Sequence, residues 1–273
     1  PEIEKNYMNE KRLDISKYKE DIAYEMFIQY IFYRQWMKVK KYANEKGIQI
    51  MGDIPFYVGI DSLDVWANKE YFLLDADGKP TFIAGVPPDY FSATGQRWGN
   101  PIYDWEKMSE TKYKFWIERL SYTQKLFDVI RIDHFRAFDT YWKIPSSCPT
   151  AIEGAWFETP GEDFFHTLMK EIPKINIIVE DLGDLTKGVH KLRDDFGFKG
   201  MKVLQFAFDP METNNDFPDR ENMLIYTGTH DNQTITGWYT SQSENLQKAT
   251  IKQLVSSGYD SGKISWRFIS MAL

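Results

Sequence analysis

Cysteine is almost absent: the chain has one, Cys148, in 273 residues. That excludes an internal disulfide and suits a reducing compartment, so the expected location is the cytoplasm. Cys148 lies in the turn-rich stretch IPSSCPT with no nearby His and reads as an inert thiol. Histidine is nearly as scarce, at four, which weighs against a metal site. No run approaches the eighteen or so uninterrupted apolar residues of a membrane span. The amino end, PEIEKNYMNEKR, lacks the apolar region of a signal peptide. An excess of positive charge is missing too. The formal net charge is −7, with no basic patch of the kind that nucleic-acid binders carry. There is no GxGxxG after a strand, which speaks against a dinucleotide fold. Internal repeats and low-complexity tracts are absent. The first residue is Pro1, and ISWRFISMAL stops in an amphipathic pattern without a turn signal. The expectation is an internal piece of a longer chain.

What is present is apolar and aromatic. Hydrophobic residues make up 42% of the chain, enough for a sizeable core, and Phe, Tyr and Trp total 16%, with nine Trp. Aromatics beyond the needs of a core suit a groove that stacks against flat apolar faces, such as those of sugar rings. Periodicity predicts a helix over 16–47, with Ile22, Met26, Ile28, Phe32, Trp36 and Val39 on its apolar face. A buried strand follows over 48–58. Residues 59–103 are rich in turn formers and read as one long inserted loop region of functional kind. Beyond it, the pattern predicts a helix over 106–127, a strand over 129–133, and helices over 161–172, 185–197 and 245–258. Strands are expected over 175–183, 201–208 and 223–232. Helices alternating with apolar strands imply a parallel sheet in an α/β fold.

Three acids stand where apolar runs end: Asp133 after VIRI, Glu180 after INIIV and Asp231 after LIYTGTH. They are about 50 residues apart, where one unit of a (β/α)8 barrel takes about 30, so loop insertions or a skipped unit fit the spacing. Barrels of this kind build active sites at the carboxyl ends of their strands. Each acid taken singly could as well be a helix cap. Together they suggest glycoside cleavage, which uses two carboxyl groups flanking the scissile bond. Arg131, two residues before Asp133, shares its strand face, and a cation there would hold Asp133 ionised as a nucleophile requires. Glu180 has Asp181 beside it and no adjacent base, which makes it the better proton donor.

The motifs RIDHFRAF, IVEDLG and TGTHDN, with GDIPFYVGIDSLDVWANKEYF, AGVPPDYFSATGQRWGNPIYDW and KVLQFAF, closely resemble the 4-α-glucanotransferase (amylomaltase) family of the α-amylase clan. The resemblance runs in order from about residue 47 to residue 231. It implies a single catalytic (β/α)8 TIM barrel over 1–273, partial because early strands and the last strand are missing, with the 59–103 region over the active site. By the same resemblance Asp133 is the nucleophile, Glu180 the general acid/base and Asp231 the third acid, which holds sugar hydroxyls. Arg131 and His230 stand beside the first and third acids, and Asp53 binds sugar from an earlier strand. Trp98 and Asn100 lie in the acceptor-side loop. Asp89, Phe91 and Phe206 fall at glucan-contact positions, and His134 lines the acceptor side or packs beside its strand. The implied partner is a maltooligosaccharide or a starch- or glycogen-type α-glucan, with no cofactor and no metal. The implied chemistry is a retaining transfer, with carboxyl groups about 5 Å apart.

Other readings stay open at this point. An α-amylase-type hydrolase would use the same acids, although QRWGNP argues against it. The Asp/His pairs at 133–134 and 230–231 with Glu180 could bind a metal in a metal-dependent hydrolase. His166 and His190, however, fall on predicted helices. A non-catalytic glucan-binding piece is the third.

Overall fold

The computed structural model describes residues 15–89, 92–183, 185–208 and 222–273. It begins with α1 (Lys19–Glu45), a helix of 27 residues. The helical period of its apolar residues is as the sequence predicts, but no residue of α1 is buried. Ile22, Met26, Ile28, Phe32 and Val39 are all exposed. Its second half is anchored. There the Trp36 indole N–H donates to Leu126 O at 2.9 Å, and Lys40 Nζ pairs with Asp128 at 3.3 Å.

Strand β1 (Met51–Ile54) follows, then α2 (Leu63–Ala67), capped by the Ser62 hydroxyl accepting from Val65 N. Next come β2 (Phe82–Val86), β3 (Gln96–Pro101), α3 (Trp105–Glu110) and α4 (Lys114–Leu126). They are followed by β4 (Val129–Ile132), β5 (Thr140–Pro145), β6 (Ala155–Glu158), α5 (Gly161–Glu171) and β7 (Ile177–Val179). The chain continues through α6 (Lys187–Asp195), β8 (Gly200–Val203), α7 (Leu204–Ala207) and β9 (Met223–Tyr226). The helices α8 (Ile235–Ser241), α9 (Glu244–Ser256) and α10 (Ile264–Ala272) complete it. No helix among the described residues is long and apolar enough to cross a membrane.

The described chain divides into two compact units. One runs to Asp133 and from Ala137 to Ile177; the other comprises His134–Arg136 and Ile178–Leu273. In the first, β1 and β4 pair in parallel, with Asp53 beside Arg131, and Ile130 N donates on to Asn176 O. Gly52 has to be glycine here, because a Cβ would lie 2.2 Å from the Phe127 ring. The same unit holds an antiparallel sheet in the order β3-β2-β5-β6. The turn-rich 59–103 region contributes α2, β2 and β3 to this unit and is otherwise turn and irregular chain. The core of this unit is aromatic: Phe138 lies parallel to Phe164 at 5.0 Å and packs edge-on to Phe56 at 4.8 Å and to Trp116 at 5.2 Å.

In the second unit, Ile178 bridges Lys199 in parallel, and β8 pairs β9 in parallel. Leu204, Phe208, Ile235, Trp238, Leu254 and Phe268 form its apolar core. The strands expected over 48–58, 175–183 and 223–232 are shorter, at Met51–Ile54, Ile177–Val179 and Met223–Tyr226, and two further elements change type or break. The helix expected over 106–127 breaks at Lys112 and Tyr113, which have φ of 53° and 57°. Tyr113 is buried there and donates to Asp163 Oδ2 at 2.6 Å, a tertiary anchor that overrides helical continuity. The strand expected over 201–208 ends at Val203, and LQFA turns into α7. A short apolar run of this length does not distinguish helix from strand.

Phe138 is fully buried. Phe138→Ala is therefore expected to lower the unfolding free energy by about 3–5 kcal/mol, read as a drop in the urea midpoint at unchanged slope.

Candidate active site

The site is built where β1 and β4 end. Because Asp53 and Arg131 are neighbours across the parallel pair, their side chains share a face, and Asp133, two residues beyond Arg131, follows on it. Arg131 Nη1 donates to both oxygens of Asp53, at 2.8 and 2.7 Å, and to Asp133 Oδ1 at 2.9 Å. The guanidinium side chain is only 7% exposed, while the two carboxylates are 41% and 42% exposed. A buried cation is tolerated because two carboxylates take up its charge. The carboxylates thus reach solvent with a common counter-charge behind them. Asp133 N donates to Ile54 O at 3.0 Å, which fixes the strand end that carries it.

The loop after β1 is pinned by β3. Asn100 Nδ2 donates to Val58 O at 3.0 Å, so Asn100, predicted as a substrate contact, has a structural bond in this loop. Trp98 is 39% exposed. Its ring meets Tyr57 edge-on at 6.1 Å, and its indole N–H donates to Gln96 Oε1 at 3.1 Å. Tyr57 in turn lies parallel to Tyr103, whose hydroxyl donates to Phe56 O at 2.6 Å. Trp98 therefore rests on an ordered aromatic base. Tyr57 was not singled out from the sequence, although its place four residues after Asp53 was the available signal. Asp89 is exposed and accepts from Ser92 N at 2.7 Å, forming a tight turn. Phe91 lies outside the described residues.

In the second unit, His134 adopts φ of 51°, a left-handed conformation that His enters more readily than most residues. Its backbone N–H donates to Glu180 Oε2 at 2.9 Å, and Leu182 N donates to Glu180 Oε1 at 3.1 Å. Phe135 N donates to Glu180 O at 3.3 Å. Both carboxyl oxygens of Glu180 are thus held by main-chain amides. His134 acts here through its backbone, a role its side-chain type does not announce. Its ring is pushed down to a pKa of about 4, chiefly by burial and also by the Arg136 charge.

Asp181, read from the sequence as a negative neighbour of Glu180, is engaged elsewhere. Its Oδ2 accepts from Arg193 Nη1 at 2.5 Å and its Oδ1 from Met201 N at 2.7 Å. Burial pushes its carboxyl up, against the pull of those two donors. Asp231 follows β9 and is exposed, with His230 Nε2 3.4 Å from its Oδ2. Asp231 N donates to Thr229 Oγ1 at 3.2 Å. Phe206 is half-buried on α7 rather than on a strand. The predicted residues thus come together as Asp53–Arg131–Asp133, as His134–Glu180 and as His230–Asp231. Among the described residues, no three His, Cys, Asp or Glu side chains gather closely enough to hold a metal ion.

Comparison with known proteins adds to this geometry. The family described as 4-alpha-glucanotransferase matches residues 2–273. A 4-alpha-glucanotransferase of Thermus thermophilus is 44% identical over 261 residues, covering 93% of this chain and 52% of that protein. One of Streptococcus pneumoniae is 49% identical over 240 residues, covering 86% and 48%. The solved structure of an amylomaltase from Streptococcus agalactiae in complex with acarbose superposes with a TM-score of 0.88 at 39% identity, covering 94% of this chain and 52% of that one. The chain spans about half the length of the curated relatives it matches.

The His134 ring has a measurable consequence. Its folded pKa is depressed, so the unfolded chain takes up a proton near pH 6.5 that the folded chain refuses until about pH 4. Stability is expected to fall as pH drops through that window, and His134→Gln to flatten the fall. An NMR titration should show the His134 imidazole neutral at pH 5.5; a midpoint near 6.5 would contradict its burial.

Proposed function

The chain belongs to the 4-alpha-glucanotransferase family, and from that membership we propose that the protein carrying it transfers α-1,4-glucan segments between maltooligosaccharides by a retaining double displacement. The observation that carries this reading is the single Arg131 nitrogen shared by Asp53 and Asp133 at adjacent strand ends. It supplies a partly exposed carboxylate with a counter-charge behind it, which is what an attacking carboxylate needs.

In this reading Glu180 protonates the glycosidic oxygen and the reducing-end part of the glucan leaves. Asp133 bonds to the anomeric carbon and holds the remaining chain. The 4-hydroxyl of a second sugar then attacks, its proton passing to Glu180, and the Asp133 ester bond breaks. Two inversions retain the α configuration and call for carboxyl groups about 5 Å apart. Asp231 and His230 hold hydroxyls of the sugar at the cleavage point, and Asp53 contributes from β1. The main-chain amides of His134 and Leu182 keep Glu180 in one place through both half-reactions. Asp89, Phe91 and Phe206 are further glucan contacts. The reaction needs no metal or cofactor. The acarbose held by the Streptococcus agalactiae relative supports an oligosaccharide ligand. The parallel pairs β1–β4 and β8–β9 support the (β/α)8 barrel as the architecture, and the scarcity of cysteine supports a cytoplasmic setting.

Transfer rather than hydrolysis requires an acceptor platform that keeps water away from the glycosyl-enzyme. Trp98 on its Tyr57 base supplies it. The full-length protein given maltotriose should release glucose together with longer maltooligosaccharides, and Asp133→Asn should abolish this; disproportionation that survives the substitution would sink the assignment. Trp98→Ala is expected to raise the share of hydrolysis severalfold, measured as reducing ends formed per glucose released. An unchanged ratio would remove Trp98 from the acceptor side.

A further inference from the structure

The segment that carries Asp231 is held at both ends by one buried amide. Gln205 is 3% exposed. It lies on α7 between Leu204 and Phe206, and α7 is rooted by Leu204 and Ala207 in the second unit's apolar core. Its Nε2 donates to Thr227 O at 3.1 Å and to Gln233 O at 2.7 Å. An amide nitrogen has two protons, and these two carbonyls use both. They bracket the residues from Gly228 to Asn232. Inside the bracket the turn is braced on itself. Thr229 N and Oγ1 both donate to Asn232 Oδ1 at 2.9 Å, and Asn232 N returns a bond to Thr229 O at 3.2 Å. Gly228 makes the clasp possible, because a Cβ there would lie 2.6 Å from Gln205 Nε2. The turn that carries Asp231 is thus bonded at both ends and across itself, while the Asp231 side chain is exposed.

We propose that Gln205 is a positioning residue for the reaction: it fixes the Thr227–Gln233 loop so that Asp231 meets the sugar in the transition state. This rests on the reading of Asp231 as the third acid. Among uncharged side chains, only a primary amide of this length can give a proton to each carbonyl from this point. Methionine would fill the space and leave both carbonyls unpaired, and glutamate would turn acceptor atoms toward them.

The test uses the full-length protein with maltotriose and corrects rates for folded protein by circular dichroism and Tm. Gln205→Met is expected to lower kcat at least about tenfold with KM within about twofold, the pattern of an interaction made only in the transition state. Gln205→Glu should do the same or more. Gly228→Ala, which pushes into the same amide from the loop side, serves as an independent variant if the Gln205 variants do not fold. Gln247→Met on α9 is the control and should turn over normally. Asp231→Asn is run in parallel. Turnover that survives Asp231→Asn overturns both the third-acid reading and the clasp built on it. Turnover lost in Asp231→Asn but unchanged per folded molecule in the Gln205 or Gly228 variants overturns the clasp alone. A lower Tm with normal kcat would make Gln205 a structural tether only, and the proposal would fall.

Discussion

A guanidinium buried between two strands and facing two carboxylates is the arrangement on which the strand ends of β1 and β4 depend. Arg131 is nearly sealed from water and needs anionic partners, and the cation between Asp53 and Asp133 offsets the repulsion of two carboxylates on one face. The pairing requires β1 and β4 to be parallel and in a register that sets Asp53 beside Arg131. A slip of one residue would turn Arg131 and Asp133 to the opposite face. That register is held from both ends. Gly52 leaves room for the Phe127 ring at one side, and Asp133 N reaches Ile54 O at the other.

The remaining acids are positioned by other means. Glu180 is held by backbone amides, one of them from a His in a left-handed turn. Asp231 stands on a turn braced by Thr229 and Asn232. Counter-charge serves the group assigned to attack, and neutral donors serve the group assigned to exchange a proton. Asp181 is supported in a third way. Its charge is taken up by Arg193, which separates it from the business of its neighbour Glu180.

Two strand ends were legible in the sequence because Asp133 and Glu180 close the apolar runs VIRI and INIIV, and the period-2 rule places Arg131 and Asp133 on one face; Asp231 stands in a turn five residues past β9. Other features were hidden for physical reasons. The sheet β3-β2-β5-β6 has an exposed edge strand, AWFE, and another, QRWGNP, with glycine, asparagine and proline, so neither shows the apolar alternation of a half-buried strand. The break at Tyr113 is set by a hydrogen bond to Asp163, fifty positions on. Asp181 looked like a lone negative neighbour because its partner lies on a helix twelve residues later. His134 was read by its ring, and nothing in the sequence signals that its backbone amide reaches Glu180. Local pattern reports which face a residue takes; it does not report partners brought in by the fold.

The central claim is that Asp133, charged against Arg131, forms a covalent bond to the sugar. The most direct measurement is to trap that bond with a fluorinated glycosyl donor in the full-length protein and locate it by peptide mass spectrometry. The account requires the glycosyl mass on Asp133, in the peptide around Ile132–Arg136, and its loss when acceptor maltose is added. The mass found on Glu180 or Asp231, or turnover of the donor with no adduct at Asp133, would contradict it.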